Sequence, residues 1–368
     1  MEIIDAHLST RRSFGIDMLR GILALWVLFS HLVAWTIITQ GNHAIPVFLH
    51  WIMRLSIKVF QANGETNPAV LGFIVLSGYC IHRNGLRRTN NNINVYFIRR
   101  FFRIYPIYLL AVLWGVFCFT ISLTMVPDMT QTLSGTNHLS LGYIMAKLVG
   151  ISDIIPSMHT YTFQGNAPLH TVMVEIWLYV LYPILIVLIA QKYSERLMWI
   201  LIIVVWGLGV LLISINPNLS GWWNNGSILG FLLYWWIGAK FVDTDFFPKI
   251  FKYRYVMLLA WFLSITIHIP FIVELRKVIF ALLFGIIITL CDKHATRWRF
   301  GFDKIGKAGY SVYALHAPLV YTLLIFGIPW YVVALSAVTL GLIIFKIYEN
   351  PFNQLGRNIA VNRRIMPS

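Results

Sequence analysis

The chain has 368 residues, 58% of them hydrophobic and only 12% charged, with a mean hydropathy of +0.72, where soluble domains carry about 25% charged residues. That balance excludes a soluble globular enzyme. Apolar runs of about 17–23 residues without period-two alternation also exclude an outer-membrane barrel, which leaves an all-α, polytopic integral membrane protein. The formal charge of +15 predicts Lys- and Arg-rich cytoplasmic loops rather than a nucleic-acid partner.

Ten spans are expected in one domain covering 1–368: 15–38, 68–82, 104–126, 168–190, 197–215, 226–242, 255–273, 277–291, 308–327 and 329–347. With the N-terminus inside, all 29 basic residues fall in inside segments except Arg54, Lys58, Lys147, Arg276 and Lys277. This bias puts both termini in the cytoplasm. The first apolar run keeps its charges and no small-residue cleavage site follows it, so no cleavable signal peptide is expected. Cys80, Cys118 and Cys291 are scattered and predict neither a disulfide framework nor a metal site.

The first span, GIDMLRGILALWVLFSHLVAW, carries Asp17, Arg20 and His31. Ionisable residues inside a membrane are costly and are functional candidates by default. Asp17 and Arg20 are i,i+3 neighbours. Arg20 and His31 are eleven residues apart, about three helical turns plus roughly 20°, so the three share a face on which His31 lies about 16 Å beyond Arg20. The structural alternative is a pair of orientation-fixing charges with a helix-packing histidine.

Between the first two spans, His50, Arg54 and Lys58 recur every four residues, the pattern of an amphipathic helix on the outer surface. The second cytoplasmic segment, IHRNGLRRTNNNINVYFIRRFFRIYP, is the most basic. Positive-inside topology accounts for Arg83, Arg87 and Arg88. Arg100 and Arg103 sit at the start of the third span, where arginine forks suit a phosphate-bearing cytosolic ligand. The piece LGYIMAKLVGISDII is expected to be re-entrant or interfacial, since a span there would invert every later loop.

Glu175, in HTVMVEIWLYVLYP, is read as the one acid well inside an apolar run, with Tyr179 and Tyr182 on its face. Counting rise from opposite membrane surfaces puts Glu175 and His31 in the same outer half, so the two are expected to form one site. The structural alternative is a protonated Glu175 bonded to a neighbouring helix. Trp222 and Trp223 suit an interfacial anchor or a sugar-stacking surface. His316, in GYSVYALHAPLVY, is either functional or a packing histidine beside Pro318. Nucleotide-binding glycine loops, GxSxG and HExxH are absent from the sequence.

With these residues in hand, the chain resembles the membrane acyltransferase family 3. IDMLRGILALWVLFSH resembles its first-helix motif, a basic residue then His after ten residues, which gives Arg20 and His31. GFIVLSGYCI resembles the segment ending Leu-Ser-Gly, with Ser77. VYFIRRFFRIYPIY resembles the Arg-x-x-Arg segment, with Arg100 and Arg103. VEIWLYVLYPIL resembles the Glu-containing segment, with Glu175, and GYSVYALHAPLV the late histidine segment, with His316. His170 stands where members often have Trp before the Glu.

The resemblance implies acyl transfer, usually of acetyl, from cytosolic acyl-CoA to a sugar hydroxyl of a surface polysaccharide such as lipopolysaccharide O-antigen, or of its lipid-linked precursor. It implies His31, Arg20 and Glu175 as catalytic residues, to which the charged face of the first span adds Asp17, and Arg100, Arg103, Ser77 and His316 as acyl-CoA-binding. It implies no metal and no nucleic acid, contact with membrane lipid, and a place in a cell membrane, the bacterial inner membrane. A rival from another class is a transporter or flippase for a lipid-linked sugar; paired half-helices and two similar halves would favour it. A non-catalytic assembly partner is a further rival.

Overall fold

A computed structural model describes residues 14–51, 54, 67–84, 92–126, 141–152, 154–156, 166, 168–191, 195–294 and 301–365. Arg87, Arg88, Lys58 and most of the expected amphipathic surface helix lie outside the described residues. In chain order the helices are α1 (Phe14–Gln40), α2 (Pro68–Asn84), α3 (Ile93–Met125), α4 (Leu141–Val149) and α5 (Leu169–Gln191). Then come α6 (Glu195–Ile215), α7 (Ser220–Asn225), α8 (Ile228–Lys240), α9 (Phe246–Lys252) and α10 (Arg254–Ser264). The last are α11 (Pro270–His294), α12 (Phe302–Lys307), α13 (Gly309–Ile325), α14 (Trp330–Ile344) and α15 (Asn350–Ile365), with a π-helical turn, Phe345–Glu349, joining the final pair. No strand occurs among the described residues.

Five stretches of the described residues are long and apolar enough to cross a bilayer: α1, α3, Leu169–Ile186 of α5, α6, and Trp330–Val361. Shorter apolar helices, α8, α10 and α13, lie among them. The outward faces are themselves apolar, as with Ile200, Leu201, Ile203, Val204 and Leu208 on α6. Such a face suits lipid rather than water, and this is an all-α membrane protein. α4 has nine residues, about 14 Å, and is too short to cross a core of about 30 Å.

Several expected boundaries are corrected. The third helix begins at Ile93, not 104, because its Arg-rich start is helical too: Arg is a good helix former, and the Asn92 side chain accepts from the Val95 N–H as an N-cap. The expected span 255–273 is broken. α10 ends at Ser264 and α11 starts at Pro270, where proline supplies the fixed φ and missing N–H of a first helical position. Trp223 is neither a surface anchor nor a sugar platform. It is 3% exposed and packs directly on Gly209 and Gly230, where a side chain would collide with it.

α1 lies at the centre of the site. It touches α2, α11, α12, α13 and α14. Its closest approach is to α12, where Gly21 meets the Phe302 carbonyl and Gly306 meets the Asp17 carbonyl with no room for a Cβ on either glycine. Small residues let helix backbones come this close in a membrane. The same device joins α2 to α8, with Gly78 on the Trp235 carbonyl and Gly238 on the Val75 carbonyl.

Candidate active site

Two clusters of polar side chains lie along α1, one at Arg20 and one at His31, three turns further on. At the first, the Arg20 guanidinium donates to Asp17 Oδ1 at 3.2 Å and to Cys80 Sγ of α2 at 3.2 Å. Asp17 is 4% exposed, so the attraction within this pair is less screened by water than in a surface pair. On α5, the Tyr179 hydroxyl donates to Glu175, one helical turn away. Its only hydrogen is thereby used, so Ser77 Oγ of α2, 3.0 Å away, is the donor to Tyr179. Glu175 and Tyr179 are also charge neighbours of Arg20.

Arg100 and Arg103 of α3 complete this end. The Arg100 guanidinium lies over the rings of Tyr96 and Tyr179 at 5.6 and 5.5 Å, a cation–π arrangement. Tyr96 in turn donates to the Tyr179 carbonyl at 3.0 Å. Arg103 is exposed and is a charge neighbour of Arg20 and Arg100. Among the described residues no carboxylate forms an ion pair with Arg100 or Arg103, and Arg100 Nε has no hydrogen-bond partner. Two guanidinium forks near each other, neither in an ion pair among the described residues, are able to take a phosphate.

At the other cluster, His31 is half-buried and faces α13. Its ring centroid is 5.3 Å from that of His316 and 5.2 Å from that of Trp35, and Trp35 meets Tyr321 edge-on. His316 is 1% exposed, with Nδ1 2.7 Å from the Tyr313 carbonyl oxygen. Tyr313 links the two clusters. It is in ring contact with His316 at 5.9 Å and with Phe73 of α2 at 5.5 Å, and it is a charge neighbour of Glu175.

The structure therefore gathers Arg20, Asp17, Ser77, Glu175, Arg100 and Arg103 at one end and His31 with His316 at the other. Among the described residues no hydrogen bond or ion pair joins His31 to Glu175, and Glu175 is bonded to Tyr179. His316, expected with the acyl-CoA-binding residues, lies at the histidine end instead.

Glu175 is also not the one acid inside an apolar run. Glu274 and Glu349 are 2% and 5% exposed. Glu274 accepts from Lys277 at 2.5 Å and from Tyr234 at 2.7 Å, while Lys277 also donates to Asn224 at 2.6 Å. That network lies on α7, α8 and α11, apart from both clusters. Glu349 sits at the end of the π-helical turn, accepts from Ser311 Oγ at 2.6 Å, and is a charge neighbour of Arg103 and Arg20. Its signal was present in the sequence, an acid within FKIYENPF, but the expected span ended at 347. Cys80 gave no signal, because a cysteine in an apolar run reads as core.

The family model of the type 3 acyltransferases, described as an acyltransferase domain, matches residues 13–347. No curated protein and no solved structure matches the chain.

Proposed function

The chain belongs to the type 3 acyltransferase family and is a membrane acyltransferase, and we propose that it carries an acyl group, acetyl in the first instance, from cytosolic acyl-CoA to a sugar hydroxyl on the far side. The observation that carries this reading is the arrangement along α1. An arginine-rich end and a histidine end are separated by eleven residues of one helix, about 16 Å, and linked through Tyr313. A donor that is anionic at one end and reactive at the other needs such a pair of sites. The charge bias of the loops supports placing the arginine end at the cytoplasm.

On this reading Arg100 and Arg103 take the phosphates of acyl-CoA. Arg20, held by Asp17 and Cys80, lines the inner part of the path. The thioester reaches His31. There the ring takes the proton of the acceptor hydroxyl as its oxygen attacks the thioester carbonyl carbon. The carbon–sulfur bond breaks, the acyl group stays on the sugar, and the CoA thiolate takes the proton back from the imidazolium. Ser77, Tyr179 and Glu175 line the arginine end beside Arg20 and Arg100. The acceptor is a surface polysaccharide, O-antigen type or a lipid-linked precursor, and the membrane is the bacterial inner membrane.

The test is label transfer from acyl-labelled acyl-CoA in membranes holding the protein. The proposal expects label on a glycan. Movement of an unmodified lipid-linked sugar without any acyl transfer would favour the flippase reading instead.

A further inference from the structure

His316 has one ring nitrogen committed and one left over. Nδ1 faces the Tyr313 carbonyl oxygen at 2.7 Å. A carbonyl oxygen only accepts, so the hydrogen of the neutral ring is on Nδ1 and Nε2 carries a bare lone pair. Nε2 is buried and has no hydrogen-bond partner among the described residues. A buried acceptor without a partner is costly to keep, and a functional role is one reason for keeping it. The bond to Tyr313 ties the ring to its own helix through Nδ1, which leaves Nε2 as the distal nitrogen. The titratable ring beside His316 is His31, at 5.3 Å between centroids, with no hydrogen bond yet joining the two rings. That separation has room for two ring radii and one N–H···N bond of about 3 Å.

We propose that His316 is a positioning residue for His31: its Nε2 accepts a hydrogen bond from the His31 ring and holds that ring with its other nitrogen toward the acceptor hydroxyl. The inference rests on the acyl-transfer reading and deepens it. Formed as the substrates bind, the bond fixes the His31 tautomer, so the nitrogen facing the acceptor is unprotonated. When the hydroxyl's O–H bond breaks, the proton goes to that nitrogen. His31 is then an imidazolium with two N–H groups, one held by His316 Nε2 in a water-poor site. The oxygen–carbon bond forms, the carbon–sulfur bond breaks, and the thiolate recovers the proton. No proton is transferred to His316, which needs only to keep accepting. His316 thus belongs to the chemistry rather than to the acyl-CoA phosphates.

Two substitutions separate this from a packing role. Gln sets a carbonyl oxygen near the place of Nε2, so His316→Gln restores the acceptor and loses the tether to Tyr313. Asn sets an amide donor near the place of Nδ1, so His316→Asn keeps the tether and loses the acceptor. The measurement is kcat, and KM for acetyl-CoA, in membranes for the wild type, both variants, His31→Ala, and the His31→Ala/His316→Asn double variant. Each is checked for a monodisperse folded peak. The expected result is a kcat lowered at least about tenfold in His316→Asn, with KM for acetyl-CoA within about twofold and most of the kcat kept in His316→Gln. The double variant should be no slower than His31→Ala, because the two rings act as one unit. An active Asn variant, an equal loss in both folded variants, or multiplying losses in the double variant would each overturn the proposal. If the wild type transfers no acyl group, the acyl-CoA and acceptor assignment fails instead, a different result from any of these.

Discussion

At the scale of single residues, ionisable side chains in apolar runs were legible from the sequence and their partners were not. Asp17, Arg20 and His31 stand out because each is costly in hydrocarbon. That Arg20 also reaches Cys80, and that Glu175 bonds Tyr179, depends on how α2 and α5 turn against α1. His31→Ala is expected to lower turnover by about 10²–10⁴-fold with insertion unchanged; assaying label transfer at matched expression checks it, and near-normal transfer would remove His31 from the chemistry. Arg100→Ala and Arg103→Ala are expected to raise the KM for acyl-CoA with acceptor KM unchanged, and Arg→Lys should rescue only partly, since an ammonium lacks the bidentate fork. Titrating acyl-CoA against the double variant checks this, and unchanged affinity would return the pair to a topological role. Glu175→Gln keeps the shape beside Tyr179 and removes a carboxylate from the neighbourhood of Arg20. Its effect should therefore appear at the arginine end, in acyl-CoA use, rather than as a loss of the His31 step.

At the scale of elements, hydropathy locates the apolar slab and not the helix ends. It missed the Arg-rich start of α3 at Ile93 and the break after Ser264, because both are decided by caps, proline and backbone conformation. The π-helical turn Phe345–Glu349 was equally out of reach, although it is what sets Glu349 at the end of α14 against Ser311. The α1–α12 contact is a sharper test of packing. Gly306→Val would place a branched side chain on the Asp17 carbonyl. It is expected to cost about 1–3 kcal/mol, visible as a lowered melting temperature in detergent, whereas the same change at Gly207, which has open space, should be tolerated.

A second element-scale expectation concerns pH, in the turn after α8. Burial alone would raise the Asp243 carboxyl. Contacts from His82, 3.4 Å away, and Lys240 outweigh it and hold the carboxyl at about 2, below its ordinary 3.8. A carboxyl depressed by folding contributes stability that is complete above the unfolded value and is lost as pH falls through the folded one. Stability from Asp243 should therefore be flat near neutrality and disappear between about 4 and about 2. Asp243→Asn should flatten that acid limb in a melting series, and an unchanged limb would contradict the assignment.

At the scale of the whole molecule, the central claim is directional. On the proposed function, donor and acceptor are met at opposite ends of α1. The decisive measurement is acyl transfer in sealed, singly oriented vesicles, with labelled acetyl-CoA supplied only on the side of the termini and the glycan acceptor only on the other. The account predicts label on the enclosed or opposite acceptor, abolished by His31→Ala, with the vesicles remaining impermeable to acetyl-CoA. Transfer only when donor and acceptor share one side, or transfer that survives His31→Ala, would contradict it.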